Sequence, residues 1–138
     1  MIVSDEPSVL RFTGHVLGAS GYEVLTAASG EEALEIHSPQ PADLVISDAV
    51  LPDMRGPALL DAVSQSSPST ALIVMSGYPL DELPRGVSFI LKPFRRVDLI
   101  AVAALALARV AQSGEVVARE SQRAQESHPQ SEGMLPDA

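Results

Sequence analysis

A small set of side chains in this 138-residue chain has the types needed for chemistry: acids at Asp5, Glu6 and Asp48, a hydroxyl at Ser76 and an amine at Lys92. Lys92 is the sole lysine in a chain with 18 Asp and Glu and a formal charge of -9. It ends an apolar run, in "LKPF". Two carboxylates held about 4 Å apart repel by roughly 4 kcal/mol at an effective dielectric near 20, so Asp5 and Asp48 side by side call for a cation. Mg²⁺ suits one or two carboxylates completed by carbonyl, water and phosphate oxygens. Lys92 can add a point charge from the opposite side, and the Ser76 hydroxyl can donate to an oxyanion. A carboxylate nucleophile surrounded by such charge stabilisation is what in-line phosphoryl transfer onto Asp48 needs.

Those residues meet only if the elements between them place them at one edge. Short apolar, often β-branched runs at Met1 to Val3, Val24 to Ala27, Leu44 to Ser47, Ala71 to Ser76 and Val87 to Leu91 predict strands buried on both faces. Helical spacing lies between them. Val9, Phe12, Val16 and Leu17 form one stripe behind Pro7; Ser29 and Glu32 have capping-box spacing; Pro57 opens a third helix. Alternating strand and helix predicts an α/β fold, a doubly wound five-stranded parallel sheet with helices on both faces. The link between Ser76 and Val87 is too short and proline-rich for a full helix, so the helix between strands 4 and 5 is expected to be shortened to a turn near Leu80 to Leu83, or absent. In open parallel sheets ligands sit beyond the carboxyl ends of the strands. Ser4, Asp5 and Glu6, then Asp48, then Ser76 and Gly77, then Lys92 all fall at such ends.

The motifs "SDEP" at 4 to 7, "DLVISDAVLPDMRG" at 43 to 56, "ALIVMSGY" at 71 to 78 and "FILKPF" at 89 to 94, in that order, resemble the receiver domain of two-component response regulators. The resemblance covers residues 1 to 111. It implies a flavodoxin-like domain phosphorylated on aspartate by a histidine kinase or histidine phosphotransfer protein, with Mg²⁺, acting as a signalling acceptor and not as an enzyme. Asp48 is similar to the phospho-acceptor and Asp5 to the metal-binding carboxylate beside it. Val50 matches the position whose backbone carbonyl completes the metal site, and Glu6 is expected to assist through water. Ser76, Phe89 and Lys92 match the switch hydroxyl, the aromatic switch residue and the phosphoryl-pairing lysine. Pro93 matches a lysine-proline bond that is commonly cis in the family, and Gly56, with Met54, serves the turn after Asp48. Two departures stand out: Ser4 replaces a second acid, which predicts weaker metal binding, and the link before strand 5 is short. The first strand, beginning at Met1, is also a residue or two shorter than expected.

Composition limits the remaining classes. The acidic balance argues against nucleic acid as a direct partner, since that affinity rests on clustered Lys and Arg. Without Cys there is neither a disulfide framework nor a thiolate metal site, and no segment has the roughly 18 to 20 apolar residues that span a bilayer. A soluble, cytoplasmic protein without membrane contact is the expectation. Residues 112–138, rich in Ser, Gln, Glu and Arg, are expected to be a flexible tail, helical at most at its start. Output must then pass through a downstream protein partner or a homodimer, for which Leu99, Val102, Ala106 and Val110 on the last helix are the expected contact. Two other readings compete. A degenerate receiver would bind partners without phosphorylation, and an aspartate-nucleophile phosphatase would want a second Asp where Val50 stands. His15, His37 and His128 are too scattered for a metal cluster, and Asp53 reads as a solvated turn residue.

Overall fold

The strands of the computed structural model are short, the inner three (β1, β3 and β4) are wholly buried, and the two edge strands are partly exposed. The structure describes the backbone of residues 1–126 and the side chains of residues 1–112. In order the elements are β1 (Ile2–Val3), α1 (Pro7–Ala19), β2 (Thr26–Ala27), α2 (Gly30–His37), β3 (Leu44–Asp48), α3 (Gly56–Ser66), β4 (Ala71–Ser76), β5 (Val87–Leu91) and α4 (Arg96–Glu126). The five strands form one parallel sheet in the order β2-β1-β3-β4-β5. This is the doubly wound arrangement expected from the sequence.

Alternation along the strands divides the core in two. Val3, Val45, Leu72, Val74 and Val87 face α2 and α3, while Ile2, Ile46, Ile73, Met75 and Ile90 face α1 and α4. Full burial of an aliphatic side chain of this size is worth about 1.5–3 kcal/mol, so a sheet covered on both faces needs no polar outer surface.

Local chemistry sets the helix starts. Pro7 occupies the first turn of α1, where its missing N–H costs nothing. Ser29 accepts from the Glu32 N–H at 3.2 Å, and the Glu32 carboxylate reaches back to the Ala28 N–H at 2.8 Å. The capping box is thus formed, displaced by one residue on its return arm. At the far end of α2, the buried His37 Nδ1 accepts from the Ala42 N–H at 3.1 Å and turns the chain toward β3. Burial, then the nearby positive amino terminus, lowers the His37 pKa.

No helix joins β4 to β5, one of the two outcomes expected for so short a link: residues 77–86 cross as bends and turns, without a helical turn at Leu80 to Leu83. Pro79 and Pro84 flank that stretch and leave too few donors for a helical turn. One expectation changes: the outward stripe expected on α4 is reversed. Leu99 and Ala106 are buried, and Val102 and Val110 pack against the second core cluster. The sheet takes that stripe, and among the described residues the large apolar side chains of the helix left exposed are Val97 and Leu105. Helix α4 runs on to Glu126, while residues 127–138, the rest of the expected tail, lie outside the described residues.

Candidate functional site

Asp48 is the last residue of β3, the central strand, and both of its neighbours fix it. Ser47 donates to the Asp48 carbonyl at 2.8 Å, and the Ala49 N–H donates to the Met75 carbonyl at 2.8 Å. The chain then folds over itself: the Leu51 N–H donates to Met54 O at 3.0 Å and the Gly56 N–H to Ala49 O at 2.8 Å. A Cβ on Gly56 would collide with the Asp48 carbonyl oxygen, so glycine is required by close approach of two backbones.

The Asp48 carboxylate is nearly buried, with 6% side-chain exposure, and Lys92 Nζ lies 2.9 Å from its Oδ1. Lys92 reaches it from the end of β5, where the Lys92 N–H is held by Ser76 O at 2.7 Å and the Lys92–Pro93 peptide is cis. The same amine lies 3.3 Å from the Glu6 carboxylate. Burial acts to lower the Lys92 pKa, but hydrogen bonds and charge from Asp48, then Glu6, outweigh it and raise the value above that of an ordinary lysine. The amine is therefore held as a cation.

A cleft of about 210 Å³ collects Asp5, Glu6, Asp48, Val50, Ser76 and Lys92. The sequence-derived set thus meets in one place, with one exception: Phe89 is half-buried and packs against the first core cluster below the cleft. Asp5 is exposed, and Ser4, wholly buried, accepts from the Glu6 N–H at 3.1 Å through its Oγ. Ser4 therefore begins the turn into α1 and neither acid caps that helix with its side chain. Ser76 Oγ accepts from the Tyr78 N–H at 3.2 Å. Among the described residues no group of three or more His, Cys, Asp or Glu is arranged to hold a metal. Two carboxylates, Asp5 and Asp48, with the backbone at Val50, still give the oxygen-only donor set that a hard cation retaining several waters takes.

Asp53 has a role that the sequence does not signal. Its carboxylate accepts from the Gly30 N–H at 2.9 Å and the Glu31 N–H at 2.8 Å, across more than twenty residues of chain. The loop that follows Asp48 is thereby fastened to the start of α2, and those two backbone donors hold the Asp53 pKa below the usual carboxylate range. Met54 reinforces the joint, its side chain filling the place a Cβ on Gly30 would need.

A parallel 2-1-3-4-5 sheet with an acid cleft at its carboxyl edge defines a class, the CheY-like α/β signalling domain, and comparison with known proteins places the chain within it. Residues 1–104 match the family model described as response regulator receiver domain, and the chain belongs to that family. It is similar to the sensor kinase CckA of Brucella abortus, 38% identical over 102 residues that make up 68% of this chain and 11% of the kinase. The response regulator receiver protein CpdR of the same species is 26% identical over 106 residues, 72% of this chain and 88% of CpdR. Among solved structures, the receiver domain of the hybrid histidine kinase CckA aligns at 36% identity and a TM-score of 0.68, covering 77% of this chain and 95% of that domain. A CheY-like receiver domain protein from Methanospirillum hungatei aligns at 28% identity and a TM-score of 0.73, covering 81% and 94%. The chain spans about a tenth to a quarter of the length of several curated relatives, the sensor kinase and transcriptional regulators. Among the described residues no helix is long and apolar enough to cross a membrane.

Proposed function

We propose that this receiver domain accepts a phosphoryl group on Asp48 from a histidine kinase or histidine phosphotransfer protein and passes the signal on through protein contacts. One observation carries the reading: a nearly buried carboxylate at the centre of the sheet edge, held 2.9 Å from the sole lysine of the chain. Lys92 occupies Asp48 Oδ1, which leaves Oδ2 as the attacking oxygen. In the transfer the P–N bond to the donor histidine breaks as the P–O bond to Asp48 forms, and the imidazole leaves with the electron pair. Asp5, Asp48 and the Val50 carbonyl would hold Mg²⁺, which when bound supplies charge neutralisation for the transferred group. Lys92 is placed to exchange its carboxylate contact for a phosphoryl oxygen, and the Ser76 hydroxyl, now engaged only by a turn N–H, is free to donate to another. The new group brings about two negative charges to the cleft, enough to draw Ser76 and Phe89 inward and alter the surface around β5.

Incubation with acetyl phosphate and Mg²⁺ tests this. The expected result is a mass gain of one phosphoryl group that Asp48→Asn abolishes; no gain under any metal condition would refute it. A second reading, a receiver that binds partners without being phosphorylated, draws on Ser4, which stands in the place of an acid and is committed to the turn into α1. That experiment separates the two.

A further inference from the structure

We propose that a second cleft, at the opposite end of β4 and β5 from Asp48, binds a small phosphorylated organic molecule. The cleft holds about 250 Å³ between the end of α3, the turn before β4, the start of β5 and the middle of α4. Leu72 of β4 lines this cleft and Ser76 of the same strand lines the Asp48 cleft, roughly 13 Å further on at about 3.3 Å per residue, so it is a separate site.

Its charge sets it apart. The chain carries 18 acidic residues, yet no Asp or Glu lines this cleft, whereas Arg85 and Arg109 both do. Two other clefts are acid-lined, by Asp5, Glu6 and Asp48 at the sheet's carboxyl edge and by Glu23 and Asp43 near β2, and the apolar cleft between α1 and Phe94 holds one cation, Lys92, where this one holds two. Neither arginine has a carboxylate within 4 Å among the described residues, although Arg95 finds Asp98 and Lys92 finds two acids. Arg109 is nonetheless held in place: its Nη1 donates to Ser88 Oγ at 3.0 Å, and the rest of the guanidinium fork makes no hydrogen bond among the described residues. Arg85 comes from the other wall, at the turn into β5.

The shape of the site selects the ligand. Gly86 sits beside Arg85 with φ of 82°, and nothing lies within 4 Å of the place its Cβ would occupy, so a ligand can approach the main chain there. Two guanidinium groups arriving from different elements, with the Ser64 hydroxyl nearby, suit a tetrahedral dianion with several terminal oxygens better than a carboxylate, whose two oxygens one fork satisfies. Leu72, Ala106 and Val110 supply apolar floor, which asks for a carbon body on the phosphate.

The test is a titration of the full chain with phenyl phosphate, without Mg²⁺ and at constant ionic strength, followed by amide ¹H–¹⁵N spectra. Saturable shifts centred on Gly86, Ser88 and Arg109 are expected, with weaker binding of inorganic phosphate and of benzoate. Shifts centred on Gly86, Ser88 and Arg109 should persist with inorganic phosphate excluded from the Asp48 cleft by the absence of Mg²⁺. Arg85→Ala and Arg109→Ala should each weaken binding about tenfold, the equivalent of one charged hydrogen bond. Both side chains are exposed, and mapping on the unaltered chain decides the matter even if a variant folds poorly. Shifts that fail to saturate, that chloride reproduces, that centre on Lys92, or that benzoate matches would overturn the proposal.

Discussion

At Lys92 three demands meet in one amine: it offsets a buried carboxylate, tethers the exposed Glu6, and stands where a transferred phosphoryl group would arrive. An arginine fork is broader and would not enter beside Asp48 as a point charge does. Lys92→Ala should therefore lower stability by about 1–2 kcal/mol in urea unfolding, because Asp48 loses a charged hydrogen bond in a partly solvated setting. Since the Lys92 pKa is raised on folding, the amine's contribution is fully present below about 10.5 and is lost as pH rises past the folded value, so mutant and wild type should converge in strong alkali. Acetyl phosphate should still label Asp48 in the mutant while partner binding no longer responds to labelling. Much of this was legible in sequence, because Asp48 and Ser76 end a strand, Asp5 and Lys92 follow one within two residues, and parallel strands bring their ends together. Asp53 was not legible: its partners, Gly30 and Glu31, precede it by more than twenty residues, and nothing local distinguishes it from a solvated turn acid.

Among the elements, the loop from Ala49 to Arg55 does the most positioning. It is pinned at three points: the Gly56 N–H to Ala49 O, the turn from Leu51 to Met54, and the Asp53 carboxylate on α2. Gly56→Ala would force its methyl group into the Asp48 carbonyl, which can yield only by moving the end of β3. A loss of about 1–3 kcal/mol in urea unfolding is expected, of the order found for overpacking, together with slower labelling of Asp48 in the folded fraction. A mutant as stable and as reactive as wild type would show that the close approach is not needed. The elements also show why α4 defeated sequence reading. From Val97 to Ala111 nearly every position is apolar or small, so periodicity fixes a helix but not which side faces the sheet. Contact with β4, β5 and α1 decides it, burying Leu99 and Ala106 and leaving Val97 and Leu105 outside. The link from β4 to β5 was easier, because two prolines within ten residues restrict the backbone whatever packs around it.

For the whole molecule, a net charge of -9 means that folding gathers like charges, and part of the stability is spent against that repulsion. Added salt should relieve it without preference for the ion, as screening between exposed charges depends on ionic strength. Mg²⁺ should do more, since the Asp5 and Asp48 carboxylates lie in one cleft and a cation bound there favours the folded state alone. Thermal or urea unfolding in MgCl₂ and in NaCl at matched ionic strength separates the two effects. At a hundredfold excess over its dissociation constant, Mg²⁺ should add about 2.7 kcal/mol beyond NaCl. Asp5→Asn and Asp48→Asn should keep the response to NaCl and lose the Mg²⁺ increment, whatever each does to baseline stability by removing a charge. If Ser4 in place of an acid has cost the site its metal, the two salts will stabilise the wild type equally, and the phosphorylation-independent reading gains over active phosphorylation.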